Sequence, residues 1–235
     1  MDMKIFAISD LHLSINNPKP MDIFGPVWDN YLQDIEADWN SKVGADDIVL
    51  IPGDISWAMH FEESKVDLDY IGGFIGKKVL LRGNHDYWWK SISLIREYLP
   101  NGTYAIQNDA IRFDGVVICG TRGWTVPENE HKTEQDKKIY DREVLRLKLS
   151  LDNAKAKMQP GDKLVCMMHY PPYNSKYEDS DFTKLLEEYG VDDCVFGHIH
   201  SYNKAQKLYY EKNGVKYYLT SCDLVKNKLV YICGE

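Results

Sequence analysis

The chain has 235 residues, 44% hydrophobic and 27% charged, a composition able to bury a sizeable core rather than remain unfolded. Its net charge of −8 at pH 7 argues against an extended nucleic-acid partner, which needs a basic face. A small anionic ligand is still compatible, because bound cations reverse the sign locally.

No apolar run approaches the roughly 18 residues of a membrane helix, so no membrane partner is expected. Met1 to Lys4 lead straight into a strand-like run without a secretory pattern. The five cysteines (119, 166, 194, 222 and 233) are odd in number and contain no Cys-x-x-Cys pair. They read as buried thiols of a reducing compartment, so a cytoplasmic location is expected.

Short apolar runs alternate with amphipathic stretches. The run "KIFAIS" (4–9) predicts a first strand, because continuous, β-branched-rich segments suit strands buried on both faces. Trp28, Tyr31, Leu32, Ile35 and Trp39 then recur at helical spacing, which predicts a helix starting near Pro26. Strands are predicted at 47–52 ("DIVLIP") and 78–81 ("KVLL"), followed by a helix over 90–99 carrying Ile92, Ile95 and Leu99. Next come a strand at 115–120 ("GVVICG") and a long helix over 134–158 with Tyr140, Val144, Leu147, Leu151, Ala154 and Met158 on one face. Pro160-Gly161 ends it. The run 163–168 ("KLVCMM") predicts a strand, 181–190 a short helix capped by Gly190, and 193–197 ("DCVFG") another strand. The tail predicts a hairpin turning at Asn213-Gly214 and a last strand in "KNKLVYICG". Alternating strands and helices indicate an α/β architecture, and with no linker or repeat the expectation is a single domain over 1–235.

Chemistry gathers where the strands end. Asp10-Leu11-His12 follows the first, Gly53-Asp54 the second, and Gly83-Asn84-His85-Asp86 the third. His169 and Gly197-His198-Ile199-His200 follow two later strands. Ligands of open α/β sheets bind off the carboxyl ends of strands, and five of the seven histidines lie in these loops, leaving only His60 and His131 elsewhere. In Asp10-x-His12 and His198-x-His200 both side chains share one face of extended chain. Two aspartates, one asparagine and four histidines exceed one tetrahedral zinc. They fit two five- or six-coordinate ions sharing a carboxylate. The alternative, five unrelated turn loops, leaves the concentration of histidines at strand ends unexplained.

Asp10-x-His12, Gly53-Asp54, Gly83-Asn84-His85-Asp86, His169 and Gly197-His198-x-His200, in that order, resemble the signature blocks of the calcineurin-like metallophosphoesterase superfamily. The resemblance runs from near the N-terminus to residue 200. It implies a four-layer sandwich, two mixed β-sheets packed face to face with helices outside. It also implies two divalent or trivalent ions (Mn, Fe, Zn, Ni or Co, with Mn favoured). Asp10, His12, Asp54 and His200 would hold one; Asp54 as bridge, Asn84, His169 and His198 would hold the other. A metal-bridging hydroxide would attack the phosphorus. His85 would contact the phosphate and protonate the leaving oxygen, with Asp86 orienting its ring and raising its pKa. Asn84 and His85 would thus also contact substrate.

Arg122, in "GTRGW", is a candidate phosphate contact through its fork of donors; a surface-turn arginine is the competing reading. Aromatic residues after the motif loops (Trp57, Tyr87, Trp88, Trp89, Trp124, Tyr170, Tyr173) either form an apolar pocket or pack the loops. The serine/threonine protein phosphatases of the superfamily carry Gly-Asp-x-x-Asp-Arg-Gly, where this chain has "GDISWAM". The expected activity is therefore hydrolysis of phosphate mono- or diesters of a small organic substrate. A catalytically inactive metal-binding scaffold or a nuclease is the alternative. Complete retention of the motif residues speaks against the scaffold and the acidic charge against the nuclease. Oligomeric state is left open.

Overall fold

In the computed structural model, which describes residues 3–130, 132–200 and 206–234, the apolar runs become strands of two sheets. The first sheet has β1 (Ile5–Ala7), β2 (Ile48–Pro52), β3 (Lys77–Leu81), β4 (Thr103–Ile106) and β11 (Val230–Cys233), in the order β11-β1-β2-β3-β4. The second has β5 (Ala110–Phe113), β6 (Val116–Thr121), β7 (Lys163–Met168), β8 (Asp193–Phe196), β9 (Tyr209–Lys212) and β10 (Val215–Leu219), in the order β5-β6-β7-β8-β10-β9. Both sheets are mixed: β11, β5 and β9 run antiparallel to their neighbours, and every other pairing is parallel.

Alternation along each strand explains why two sheets stack and why helices cover them. Ile5, Ala7, Ile48, Leu50, Val79 and Leu81 of one sheet meet Val116, Ile118, Val165, Met167 and Val195 of the other in a shared apolar layer. The intervening residues face outward. Phe6, Val49, Ile51 and Leu80 pack under α1 (Tyr31–Lys42), α2 (Phe61–Gly72) and α3 (Ile92–Tyr98). Val117, Cys119, Leu164, Cys166 and Phe196 pack under α4 (Glu134–Lys157) and α5 (Asp181–Glu188). The expected four layers are present. All five cysteines are free and buried.

Three elements escaped the sequence reading. In α2, Ser64 and Asp67 are buried on the face that otherwise carries Phe61, Leu68 and Ile71, so the apolar stripe is broken. The strands β4 and β5 have only four residues each and several half-buried positions, too short for a clear period. One boundary also moves: Pro26–Trp28 forms a separate 3₁₀ turn, and Asn30, at φ 55, interrupts it before α1 begins at Tyr31. Among the described residues, no helix is long and apolar enough to cross a membrane. His60 stands before α2, where Glu63 accepts a hydrogen bond from its backbone N–H at 3.2 Å; His131 lies outside the described residues.

Candidate metal centre

The parallel strands β1, β2, β3, β7 and β8 all point their carboxyl ends at one edge, and the predicted donors meet there. Asp10 is fully buried. Its carboxylate accepts from Ser9 Oγ at 2.5 Å and from the backbone N–H of His198, 3.1 Å from both oxygens. A loop of the second sheet therefore clamps the first sheet's aspartate. Close approach requires glycine: a Cβ on Gly197 would stand 2.2 Å from Asp10 Oδ2, and one on Gly83 2.1 Å from Asp54 Oδ1. Asp10, His12, Asp54 and His198 adopt left-handed backbone, with φ of 58, 47, 51 and 71°, a conformation that persists in such residues only when their surroundings over-determine it.

Two groups of donors form. Asp10, His12 and His200 offer ligand atoms within 4.8 Å of one another, and so do Asp54, His169 and His198. Asp54 joins them: its Oδ2 lies 3.9 Å from His12 Nε2 and 3.4 Å from His169 Nε2. His169 Nδ1 faces the Pro52 carbonyl at 3.0 Å, so that nitrogen carries the proton and Nε2 presents its lone pair. Asn84 Oδ1 is 2.7 Å from the same Nε2. Three lone-pair atoms thus converge on a buried spot. Asp54 Oδ2 and His12 Nδ1 are buried with no hydrogen-bond partner, a costly state unless a cation or proton takes the place of a partner. Nitrogen and oxygen donors without sulfur fit Mn, Fe, Zn, Ni or Co.

The electrostatics match. Burial pushes His12 and His169 down to about 3 and His198 to about 4, leaving these imidazoles neutral, the form that ligates metals. Burial, then the charges of Asp86 and Asp10, raise the carboxyl of Asp54, so without a cation it retains a proton near neutrality. His200 behaves oppositely to the other histidines. Burial lowers it, but hydrogen bonds to Asp10 and Asp223 outweigh burial and bring it up to about 10.

Asp223 was not anticipated. Its Oδ1 sits 3.2 Å from His200 Nδ1, leaving Nε2 to face Asp10 at 3.4 Å, the arrangement by which carboxylates orient metal-binding imidazoles. It lies in the tail, outside any motif. Only proximity in space reveals it.

Asp86 corrects an expectation. It does not hydrogen-bond to His85. Its Oδ1 accepts from the backbone N–H groups of Ile55 and Ser56 and from Trp88 Nε1, and its Oδ2 accepts from the Gly83 N–H. Successive side chains diverge in this turn, and an unpartnered buried carboxylate would cost several kcal/mol. Asp86 therefore ties the loop after β2 to the loop after β3. His85 Nδ1 has no partner, and burial, followed by the His200 charge, holds its pKa below the ordinary histidine value rather than above it.

The aromatic residues divide. Trp88 and Trp89 are buried in the core beneath the helices. Trp57 stacks on His12 at 4.5 Å. Together with Met21, Phe24, Trp28, His85, His200 and Asp223, these two line a cleft of about 330 Å³. Tyr170 packs on His198 at 4.1 Å. Arg122 stands on the other flank: its carbonyl accepts from the N–H groups of His169 and Tyr170, and its guanidinium lies over Trp124, 3.7 Å from Glu143.

Comparison with known proteins agrees with this geometry. No curated protein matches the sequence. Among solved structures, the chain resembles a phosphopantetheinyl hydrolase from Mycobacterium tuberculosis, with a TM-score of 0.57 and 14% identity over 100% of this chain and 97% of that one. A Thermus thermophilus protein matches with a TM-score of 0.56 and 10% identity over 99% of each chain. A protein of unknown function from Aquifex aeolicus matches with a TM-score of 0.51 and 14% identity, covering 97% of this chain and 95% of that one. At these identities the likeness concerns the fold. The sequence itself matches the calcineurin-like phosphoesterase family over residues 3–202, the span that holds the strand-end donors from Asp10 to His200. The chain belongs to that family and is a metal-dependent phosphoesterase.

Proposed function

We propose that the chain hydrolyses mono- or diesters of a small organic phosphate with two metal ions, manganese favoured, in a reducing cytoplasm. Asp10, His12, Asp54 and His200 hold one ion; Asp54, Asn84, His169 and His198 hold the other. The observation that carries this reading is Asp54 Oδ2, buried without a hydrogen bond between imidazoles of the two donor groups. When bound, such ions lower the pKa of a coordinated water and neutralise phosphoryl charge. The chain's own residues do the rest. Asp223 orients His200, the His198 N–H fixes Asp10, and Asn84 and His85 face the phosphate. His85 gives a proton to the leaving oxygen. The substrate's negative charge would supply the upward shift in pKa that Asp86 does not. Arg122 contacts a phosphoryl group of the substrate on the flank away from the cleft lined by Trp28 and Trp57, which takes the organic part.

Release of p-nitrophenol from p-nitrophenyl or bis(p-nitrophenyl) phosphate, abolished by chelator and restored by Mn²⁺, is the expected result. No release with Mn, Fe, Zn, Ni or Co would overturn the reading.

Metal loading should also be proton-linked. In the metal-free fold the Asp54 and His200 pKa values both lie above the ordinary ones. Their stabilisation of that fold is complete below the unfolded values and is lost as pH rises through the folded ones. A metal must displace both protons. Affinity should therefore climb as pH rises toward the His200 value of about 10, by about tenfold per pH unit for each proton displaced. Calorimetry near neutral pH in buffers of different ionisation enthalpy should count at least about two protons released per chain, those of Asp54 and His200 and a share from metal-bound water; release of none would contradict the ligand assignment.

A further inference from the structure

The helix α4 buries a carboxylate where its stripe calls for a hydrocarbon. Glu143, on the face that carries Tyr140 and Leu147, is fully buried. Its Oε1 accepts from Arg146 at 2.6 Å and its Oε2 from Thr121 Oγ1 at 3.1 Å. The single Thr121 hydroxyl also faces Asn108 Oδ1 at 2.8 Å, so Arg146 is the one undivided side-chain donor to Glu143 among the described residues. Yet Arg122 and Arg142 also approach Oε1, to 3.7 and 3.8 Å, within ion-pair range but beyond hydrogen bonding. Arg82, just after β3, lies within the electrostatic reach of Arg122, Asp86, Arg146 and Glu143, and its Nε is buried with no partner. Among the described residues, the guanidinium groups of Arg82, Arg122 and Arg142 donate to no acceptor.

Four guanidinium groups outnumber the two carboxylates within their reach, Glu143 and Asp86, in a protein whose net charge is −8. Like charges so gathered repel unless an anion joins them. The cluster borders the metal centre. Arg82 immediately precedes Gly83-Asn84. Arg122 lies over Trp124, whose ring is 5.3 Å from Tyr170, itself packed on His198. It therefore flanks the donors Asn84, His169 and His198, whereas the tryptophan-lined cleft flanks His12, His85 and His200.

We propose that Arg82, Arg122, Arg142 and Arg146 form a second anion subsite that takes a phosphoryl group other than the scissile one, so that the substrate carries at least two phosphoryl groups. The inference rests on the phosphoesterase reading of the centre and narrows its substrate class. Planar guanidinium forks match phosphoryl oxygens in pairs. Glu143 is a positioning residue, holding Arg146 in place and offsetting part of the mutual repulsion.

The test is calorimetric binding of non-hydrolysable probes to the metal-loaded protein. Propylphosphonate is compared with alkane-α,ω-bisphosphonates having spacers of three, four and six carbons. The best bisphosphonate should bind about tenfold or more tightly than propylphosphonate. Arg146→Gln should bring that ratio to about one. Because this change also strips Glu143 of a hydrogen bond, Arg142→Gln, at a half-exposed side chain, serves as the second variant and should lower the ratio about threefold. A ratio near one for every spacer in the unmodified protein overturns the proposal, as does a ratio that both variants preserve. The measurement needs no turnover. Failure of the p-nitrophenyl esters to react would count against the phosphoesterase reading alone.

Discussion

Asp54→Ala is expected to strip the protein of metal at both positions, from about two ions per chain to about none, and to lower turnover by more than about 10⁴-fold. Without metal, the attacking water regains its ordinary high pKa instead of one near neutrality. Loss at both positions follows from geometry. Asp54 Oδ2 faces His12 on one side and His169 on the other, while Oδ1 accepts from the His85 N–H at 2.8 Å. Removing the carboxyl also frees that N–H and loosens the Asn84 loop. By contrast, a residue serving one position alone should leave about half the metal. Elemental analysis of the purified variant decides: metal content equal to that of the parent would refute the bridge.

For His85→Ala the expected pattern is different. Metal content should persist, because His85 belongs to neither donor group. Turnover of an alkyl phosphate ester should fall by about 10²–10⁴-fold, the usual contribution of a positioned acid, whereas a p-nitrophenyl ester, whose leaving group departs as an anion, should lose less than about tenfold. Equal losses for the two esters would argue against proton donation and leave His85 as a phosphate contact only. The ring is placed for either task. It packs 4.8 Å from Trp57 and 5.8 Å from His12, in the cleft that borders the donors.

Much of this centre was legible in the sequence for a physical reason. Parallel strands buried on both faces are written as unbroken apolar runs, so their ends are easy to see. Any histidine or carboxylate placed there has few structural uses. That ground picks out Asp10, His12, Asp54, His169, His198 and His200 as candidate donors together with His85 and Asp86, and the resemblance to the family is what adds Asn84 and separates their roles. What stayed hidden depends on distance in space rather than along the chain. Asp223 reaches His200 across 23 positions, and Glu143 reaches Arg122 from the middle of a helix whose pattern is otherwise that of a packing element. Adjacency misled once: Asp86 sits beside His85 in sequence, yet its oxygens are taken by Gly83, Ile55, Ser56 and Trp88.

The donors come from both sheets. Asp10, His12, Asp54 and Asn84 follow strands of one; His169, His198 and His200 follow strands of the other. A cation held by such a set clasps the two halves of the sandwich together as well as activating water. Ligand binding to the folded state alone adds stability as the logarithm of free ligand concentration. The lifetime of the molecule in a cell would then track the supply of transition metal. Scarcity would withdraw that contribution and leave the shared apolar layer and the Asp10–His198 hydrogen bonds to hold the sheets together.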